Sequence, residues 1–286
     1  SGFCDITLLR GQASIYGYAL MVSKTQRNVY APPWSPALPL EATIKKALSS
    51  KKGDVGKKQT ISKALKKANK TDILELISSE RLKELEQLPG CVVLVESIRK
   101  EEQEWMVAAE VKELYKERSL PKGQLVFLSS AVVACEIGMD ALGIHQLIIP
   151  PSWVNAVSNM ESLCRTNESS KLLVCGAKGV GKSSCLRYTI NRMLSKSKVI
   201  CLLDCDVGQP ECSPPGVLGL HLLTSPILAP SHLNLQRPIL SYYHGDVTSK
   251  SGPDRFIAAV QALVNKYQEI QDAFASGAGA EYLIDE

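Results

Sequence analysis

Gly176-Ala177-Lys178-Gly179-Val180-Gly181-Lys182-Ser183 is a complete G-x-x-x-x-G-K-[ST] string, and no other feature of the chain restricts its fold so sharply. Such a string works only as a loop between a buried strand and the amino end of a helix. Lys171–Cys175 is a short apolar run and Ser183 to Leu194 has helical periodicity, so the flanks predict that strand and that helix. The glycines let backbone N–H groups approach an anion closely, and the positive end of the helix points at the same anion. Gly176 to Ser183, with Ser184 beside them, are therefore expected to cradle the phosphates of an NTP. The Lys182 ammonium would reach the β and γ phosphates, and the Ser183 hydroxyl would ligate Mg²⁺.

Acidic residues follow at the expected place. Val199–Leu203 is a second apolar run, as in a strand covered on both faces, and it ends in Asp204-Cys205-Asp206-Val207-Gly208-Gln209. Two carboxylates two residues apart on a strand share a face. One would hold the metal shell and the other would take a proton from an attacking hydroxyl. The plainer possibility is that one of them only caps the strand or opens a turn. Pro238–Tyr243 is a third candidate strand. His244-Gly245-Asp246 after it would lie at the carboxyl edge where open α/β sheets bind ligands, either as a substrate contact at His244 or as a plain polar loop. Asp254 to Phe274 reads as a helix, and Tyr282–Glu286 as a tail or a cut-short strand. Strand, helix and strand at these intervals predict βαβ units and a parallel sheet. Asn265-Lys266-Tyr267-Gln268 lacks the Asp of a guanine-reading N-K-x-D, so ATP is the expected nucleotide.

The chain has 286 residues, of which 45% are hydrophobic, enough for about two domains. Residues 1–150 predict a mainly β domain: short strands with turns at Gly11 and Gly17, a proline run from Pro32 to Pro39, and strands again at Cys91–Glu96 and Gln124–Leu128. Within it, about 41–88 reads as a basic, partly helical insertion, with Lys45–Lys70 expected to be unfolded. Its lysines suit a polyanion or a nuclear address, or form a solvated loop that binds nothing specific. Pro150-Pro151 marks a hinge, and 151–286 predicts the P-loop domain. The nine cysteines are scattered without a C-x-x-C pair, as in a protein with reduced thiols. No apolar run approaches the ~18 residues of a membrane span. Ser1–Asp5 carries no basic or long apolar start, so neither a secretory signal nor a membrane partner is expected.

At this point a resemblance enters. Asp204-Cys205-Asp206-Val207-Gly208-Gln209-Pro210 with Ser213-Pro214-Pro215-Gly216 resembles the D-x-G-Q…P-G segment of the eukaryotic polynucleotide 5′-hydroxyl kinases. Leu8 to Gly17 resembles the L-x-G-x-A-x-I-x-G start of their N-terminal β domain. The Lys-rich insertion, Gln209-Pro210 and Tyr242-Tyr243 resemble the nucleolar branch most. The resemblance implies ATP- and Mg²⁺-dependent phosphorylation of RNA 5′-hydroxyl ends in processing of a pre-rRNA internal transcribed spacer. It also implies an endonuclease partner and a nuclear, nucleolar address. It gives Lys182 and Ser183 the phosphate and Mg²⁺ roles, makes Asp206 the general base, puts Asp204 in the metal shell and lets Gln209 orient metal or substrate. The family's arginine-bearing lid has no counterpart here, since Arg187 and Arg192 fall in the helix after the loop. The P-loop domain is therefore expected to be cut short at its C-terminus. Two alternatives remain open: a non-catalytic, ATP-bound scaffold for a processing endonuclease, and a P-loop ATPase that couples hydrolysis to assembly.

Overall fold

The computed structural model describes residues 2–31, 38–42, 60–87, 91–97, 125–127, 132–134, 147–166, 170–279 and 282. The chain divides into two compact units, Ser1–Ile148 and Ile149–Glu286.

In the first unit, β1 (Gly2–Arg10) runs antiparallel between β4 (Thr25–Ala31) and β6 (Val92–Ser97). Ile6 faces Gln26 on one side and Val95 on the other. A second small sheet sets β2 (Ala13–Ile15) between β3 (Tyr18–Ala19) and β5 (Leu40–Ala42), all antiparallel. Tyr16 and Gly17, at φ 45° and 84°, make the tight turn that joins β2 to β3, as a two-residue hairpin loop with both residues left-handed requires. β7 (Leu125–Phe127) and β8 (Val132–Ala134) pair antiparallel. The early expectation of short antiparallel strands therefore holds for the described residues.

The described part of the basic insertion, from Thr60 to Lys70 of the stretch expected to be unfolded, is folded. Residues 43–59, with most of the lysine block, lie outside the described residues. From Thr60 onward the chain is helical: α1 (Ile61–Lys67), α2 (Thr71–Leu76) and α3 (Ser79–Gln87). Ile61, Ala64 and Leu65 are fully buried around Leu9, with Ile73, Leu74, Leu82 and Leu85 packed against them. Lys63, Lys66 and Lys67 fall on the exposed face of α1. Thr60 Oγ1 and Glu86 Oε1 accept the N–H groups of Lys63 and Ile61 at its start, and Lys70 pairs with Glu96 at 2.8 Å. Apolar periodicity outweighs like-charge repulsion because the lysines all share the face turned to solvent.

The second unit opens with α4 (Pro151–Thr166) and continues through α5 (Lys182–Leu194), β9 (Ile200–Asp204), β10 (Val217–Leu223), β11 (Leu240–Tyr243) and α6 (Pro253–Ser276). The sheet order is β11-β10-β9 and both pairings are antiparallel. This corrects the predicted parallel arrangement for the described residues. β10 carries the reversal. It reads Val-Leu-Gly-Leu-His-Leu-Leu, and it needs Gly219, where a Cβ would collide with His221 Nε2. The predicted strand Lys171–Cys175 is also corrected: it makes no sheet pairing, and Leu173 is 85% exposed. An apolar run becomes a strand only when a neighbour takes up its backbone groups, and no described strand lies alongside it.

The core of this unit lies between β10 and α6, where Leu218, Leu220, Leu263, Ala259 and Ile270 are buried together with Val207. Asn191 of α5, fully buried, donates to Ile227 O at 3.0 Å and accepts Ile227 N at 2.7 Å, so the segment after β10 is pinned to the P-loop helix. Among the described residues no helix is long and apolar enough to cross a membrane.

Candidate active site

The loop before α5 is an exposed turn. Gly179 and Gly181 sit at φ 78° and 88°, and Gly181 is the residue from which α5 starts. A side chain at either place would be strained whatever space surrounds it. Ala177, Lys178, Gly179, Val180 and Ser183 are exposed, and Lys182 and Ser184 are half-buried. The Lys182 ammonium donates to Ala177 O at 2.8 Å, which folds it over the loop that it would share with a phosphate. The amino end of a 13-residue helix thus opens onto an exposed glycine-bearing loop, an arrangement that favours anions.

One contributor was not read from the sequence. Trp153, in the first turn of α4, packs on this loop: a Cβ at Gly181 would stand 3.4 Å from Trp153 Cζ2. Its ring lies 6.5 Å from that of Tyr188 on α5. The only sequence signal was a tryptophan just after the Pro-Pro hinge, and nothing local linked it to residue 181.

At the end of β9 the two carboxylates part company. Asp204 is buried, 6% exposed, and both its oxygens are committed: Oδ1 accepts Asp206 N at 3.2 Å and Oδ2 accepts Glu211 N at 2.5 Å. Burial pushes its pKa up, and the N–H groups of Glu211, Asp206 and Cys212 oppose the shift. Asp206 is exposed, and its Oδ1 accepts Gly208 N and Gln209 N, each at 3.0 Å. The expected common face is corrected, because the strand ends at Asp204 and the pleat does not continue. Gln209 is exposed on the same turn.

Glu211, which closes the turn, ties it to the P-loop helix. It is 4% exposed, and Arg187 Nε of α5 donates to its two oxygens at 2.8 and 2.9 Å. Asn234 Nδ2 donates to Glu211 Oε1 at 3.0 Å and to Ala229 O at 2.8 Å. Burial raises the Glu211 pKa and the Arg187 charge opposes it. The turn that carries Asp206 is therefore fixed to the helix that carries Lys182 and Ser183, one helical turn from Ser183.

His244 does not face solvent. It is 2% exposed, its Nε2 meets Thr248 O at 3.1 Å, and its ring stands edge-on to Phe256 at 5.7 Å. It shapes the loop after β11 from beneath. Within that loop Asp246 accepts Ser251 Oγ at 2.5 Å and Thr248 N at 3.3 Å, and the Ser251 bond holds its carboxyl below the usual range. Three loops meet here: Gly216 N donates to Val207 O at 2.7 Å, His244 N donates to Gly216 O at 2.8 Å, and a Cβ at Gly208 would stand 3.0 Å from Val247 O.

The glycine loop, the helix behind it and the acidic strand end define a P-loop phosphate-binding domain of α/β type. Residues 176–284 match the family model described as mRNA cleavage and polyadenylation factor CLP1 P-loop. Over 271 residues, 92% of this chain, it is 27% identical to the polynucleotide 5′-hydroxyl-kinase NOL9 of Danio rerio. It is 37% identical over 128 residues, 43% of the chain, to the polynucleotide 5′-hydroxyl-kinase grc3 of Schizosaccharomyces pombe, and 35% identical over 122 residues, 42% of the chain, to the NOL9 kinase of Arabidopsis thaliana. The matched region is 37%, 17% and 33% of those three proteins respectively.

Proposed function

We propose that this chain holds the phosphate-transfer site of an ATP-dependent polynucleotide 5′-hydroxyl kinase, acting on RNA 5′-hydroxyl ends. One arrangement carries the reading: an exposed carboxylate, Asp206, on a turn that Asp204 and Glu211 fix to the helix of Lys182 and Ser183. The names of the relatives supply the acceptor, since each is called a polynucleotide 5′-hydroxyl-kinase.

The residues present fit ATP and Mg²⁺. The loop is open and its backbone turns through left-handed positions, which suits triphosphate oxygens. Among the described residues no group of three or more His, Cys, Asp or Glu could cage a metal. Mg²⁺ needs only a few protein oxygens beside phosphates and water. Ser183 would hold it directly, and the free edge of Asp206 would reach it or its water. Mg²⁺ would supply charge neutralisation at the β and γ phosphates. Asp204 anchors the turn through the N–H groups of Asp206 and Glu211, and its remaining lone pairs would meet the Mg²⁺ shell.

Lys182 leaves Ala177 O and takes the γ-phosphoryl oxygens. Asp206 accepts the proton of the 5′-hydroxyl as that oxygen bonds to the γ phosphorus, and the bond from phosphorus to the β-bridging oxygen breaks. ADP and a 5′-phosphorylated strand result. Gln209, on the same turn, orients the incoming hydroxyl or a metal-bound water. His244 acts on the acceptor only indirectly, by holding the 244–251 loop. The cellular setting that fits is pre-rRNA spacer processing in the nucleolus, beside an endonuclease whose 5′-hydroxyl product is the substrate.

The test is labelling of a 5′-hydroxyl oligoribonucleotide from γ-labelled ATP with Mg²⁺. Label should appear at the 5′ end and vanish with Lys182→Ala. Tight ATP binding that depends on Lys182, with no label on any 5′-hydroxyl strand, would replace this reading with an ATP-bound scaffold.

A further inference from the structure

Tyr243 closes β11 and is 77% exposed, yet its ring is held from below. A Cβ at Gly216 would stand 3.4 Å from Tyr243 Cε2, and one at Gly245 would stand 3.6 Å from Cε1 and 3.9 Å from Cζ. Both glycines are left-handed, at φ 85° and 84°. The ring thus lies on two bare backbone segments that no other residue type would leave open, and its remaining surface is turned to solvent. The floor is itself braced, because His244 N and Gly245 N both donate to Gly216 O, at 2.8 and 3.4 Å. Gly216 N in turn donates to Val207 O, the residue after Asp206. The ring is therefore one hydrogen-bonded step from the turn that carries the proposed base.

Cations stand on the same loop cluster. Lys250 and Arg255 are exposed. The Arg255 guanidinium folds over Gly252, where a Cβ would lie 3.1 Å from Nη2, and the same Cβ would lie 3.6 Å from the buried His244 ring. An exposed aromatic ring at a strand end, followed within twelve residues by two exposed cations, is the composition of a single-strand nucleic-acid platform, in which bases stack and phosphates pair with cations.

We infer that Tyr243 is the stacking platform for the base at the 5′ end of the acceptor strand, with Lys250 and Arg255 meeting the phosphates that follow it. The platform sets the distance from the terminal hydroxyl to Asp206. This inference rests on the kinase reading for the identity of the strand, but stacking and transfer are measured separately.

The experiment uses the full chain with Mg²⁺ and ADP, and a 5′-hydroxyl oligoribonucleotide whose first base is 2-aminopurine. Stacking quenches that fluorophore. Wild type and Tyr243→Trp should bind and quench, Tyr243→Phe should bind within about twofold of wild type, and Tyr243→Ala should lose the quench and bind about tenfold more weakly. ATP affinity should be the same in all four proteins. An abasic first nucleotide should weaken wild type by a similar factor and leave Tyr243→Ala unchanged, as two ends of one contact do. The inference is overturned if wild type gives no quench, or if Tyr243→Ala binds and quenches as wild type does. An exposed tyrosine that instead meets a protein partner would give that second result. Quench without phosphate transfer leaves the platform standing and removes the kinase reading; transfer without quench does the reverse.

Discussion

At Asp204 the chain leaves the sheet, and that exit decides what each of two neighbouring carboxylates can do. Asp204 turns inward onto the N–H groups of Asp206 and Glu211, whereas Asp206 stays at the surface with one oxygen on the turn. Asp206→Asn should therefore lower phosphate transfer by about 10²–10⁴ with ATP binding retained, the size expected for a lost general base. Asp204→Asn sets an NH₂ group against backbone donors and should cost about 1–3 kcal/mol of stability, seen in urea unfolding. A result with the two effects exchanged would reverse the assignment. A second residue gives a pH test. His221 is fully buried, its Nε2 meets Ser213 Oγ at 3.0 Å, and burial lowers its pKa from 6.5 to about 4. Below pH 6.5 the unfolded chain takes a proton that the folded chain refuses until about pH 4, so stability falls across that window. Asp204 and Glu211, both raised by burial, act in the opposite sense. The comparison that isolates the histidine is His221→Gln, whose urea midpoint should fall less steeply between those pH values.

At the scale of elements, the bond between Arg187 and Glu211 joins the P-loop helix to the acidic turn. Glu211→Gln leaves Arg187 without its charge partner and should cost on the order of 2 kcal/mol, since Arg187 keeps some access to water. It should also weaken ATP binding, because the helix loses its tether; unchanged ATP affinity in a destabilised variant would show that the tether does not reach the loop. Trp153 reports on the other side of the same loop. With Trp34→Phe and Trp105→Phe as background, its emission should shift on adding Mg-ATP, and a silent signal would mean that the loop does not move against α4. Much of this was legible beforehand. The glycine string, the helix after it and the acidic strand end are local patterns, and local patterns survive folding. β10 was not legible, because Gly219 and His221 interrupt its apolar run and their fit is set by one another and by Ser213. The strand predicted at Lys171–Cys175 shows the converse: apolar content alone does not provide the neighbour that a strand needs. The pairing of Arg187 with Glu211 was not legible either, because the two lie 24 residues apart.

At the scale of the whole molecule, the two compact units divide the work by composition. The first unit carries the Lys45–Lys70 block, and α1 turns Lys63, Lys66 and Lys67 to solvent while burying Ile61, Ala64 and Leu65. The second unit contains every residue of the proposed transfer site, from Trp153 to Arg255. The most direct test of that site follows the acceptor and not the nucleotide. A 5′-hydroxyl oligoribonucleotide and its 5′-phosphorylated twin are incubated with the chain, ATP and Mg²⁺, and each is weighed by mass spectrometry. The 5′-hydroxyl strand should gain one phosphate at its first nucleotide, its twin should gain none, and Lys182→Ala and Asp206→Asn should each suppress the gain. Equal ATP consumption with and without the 5′-hydroxyl strand, and no change in its mass, would contradict the assignment.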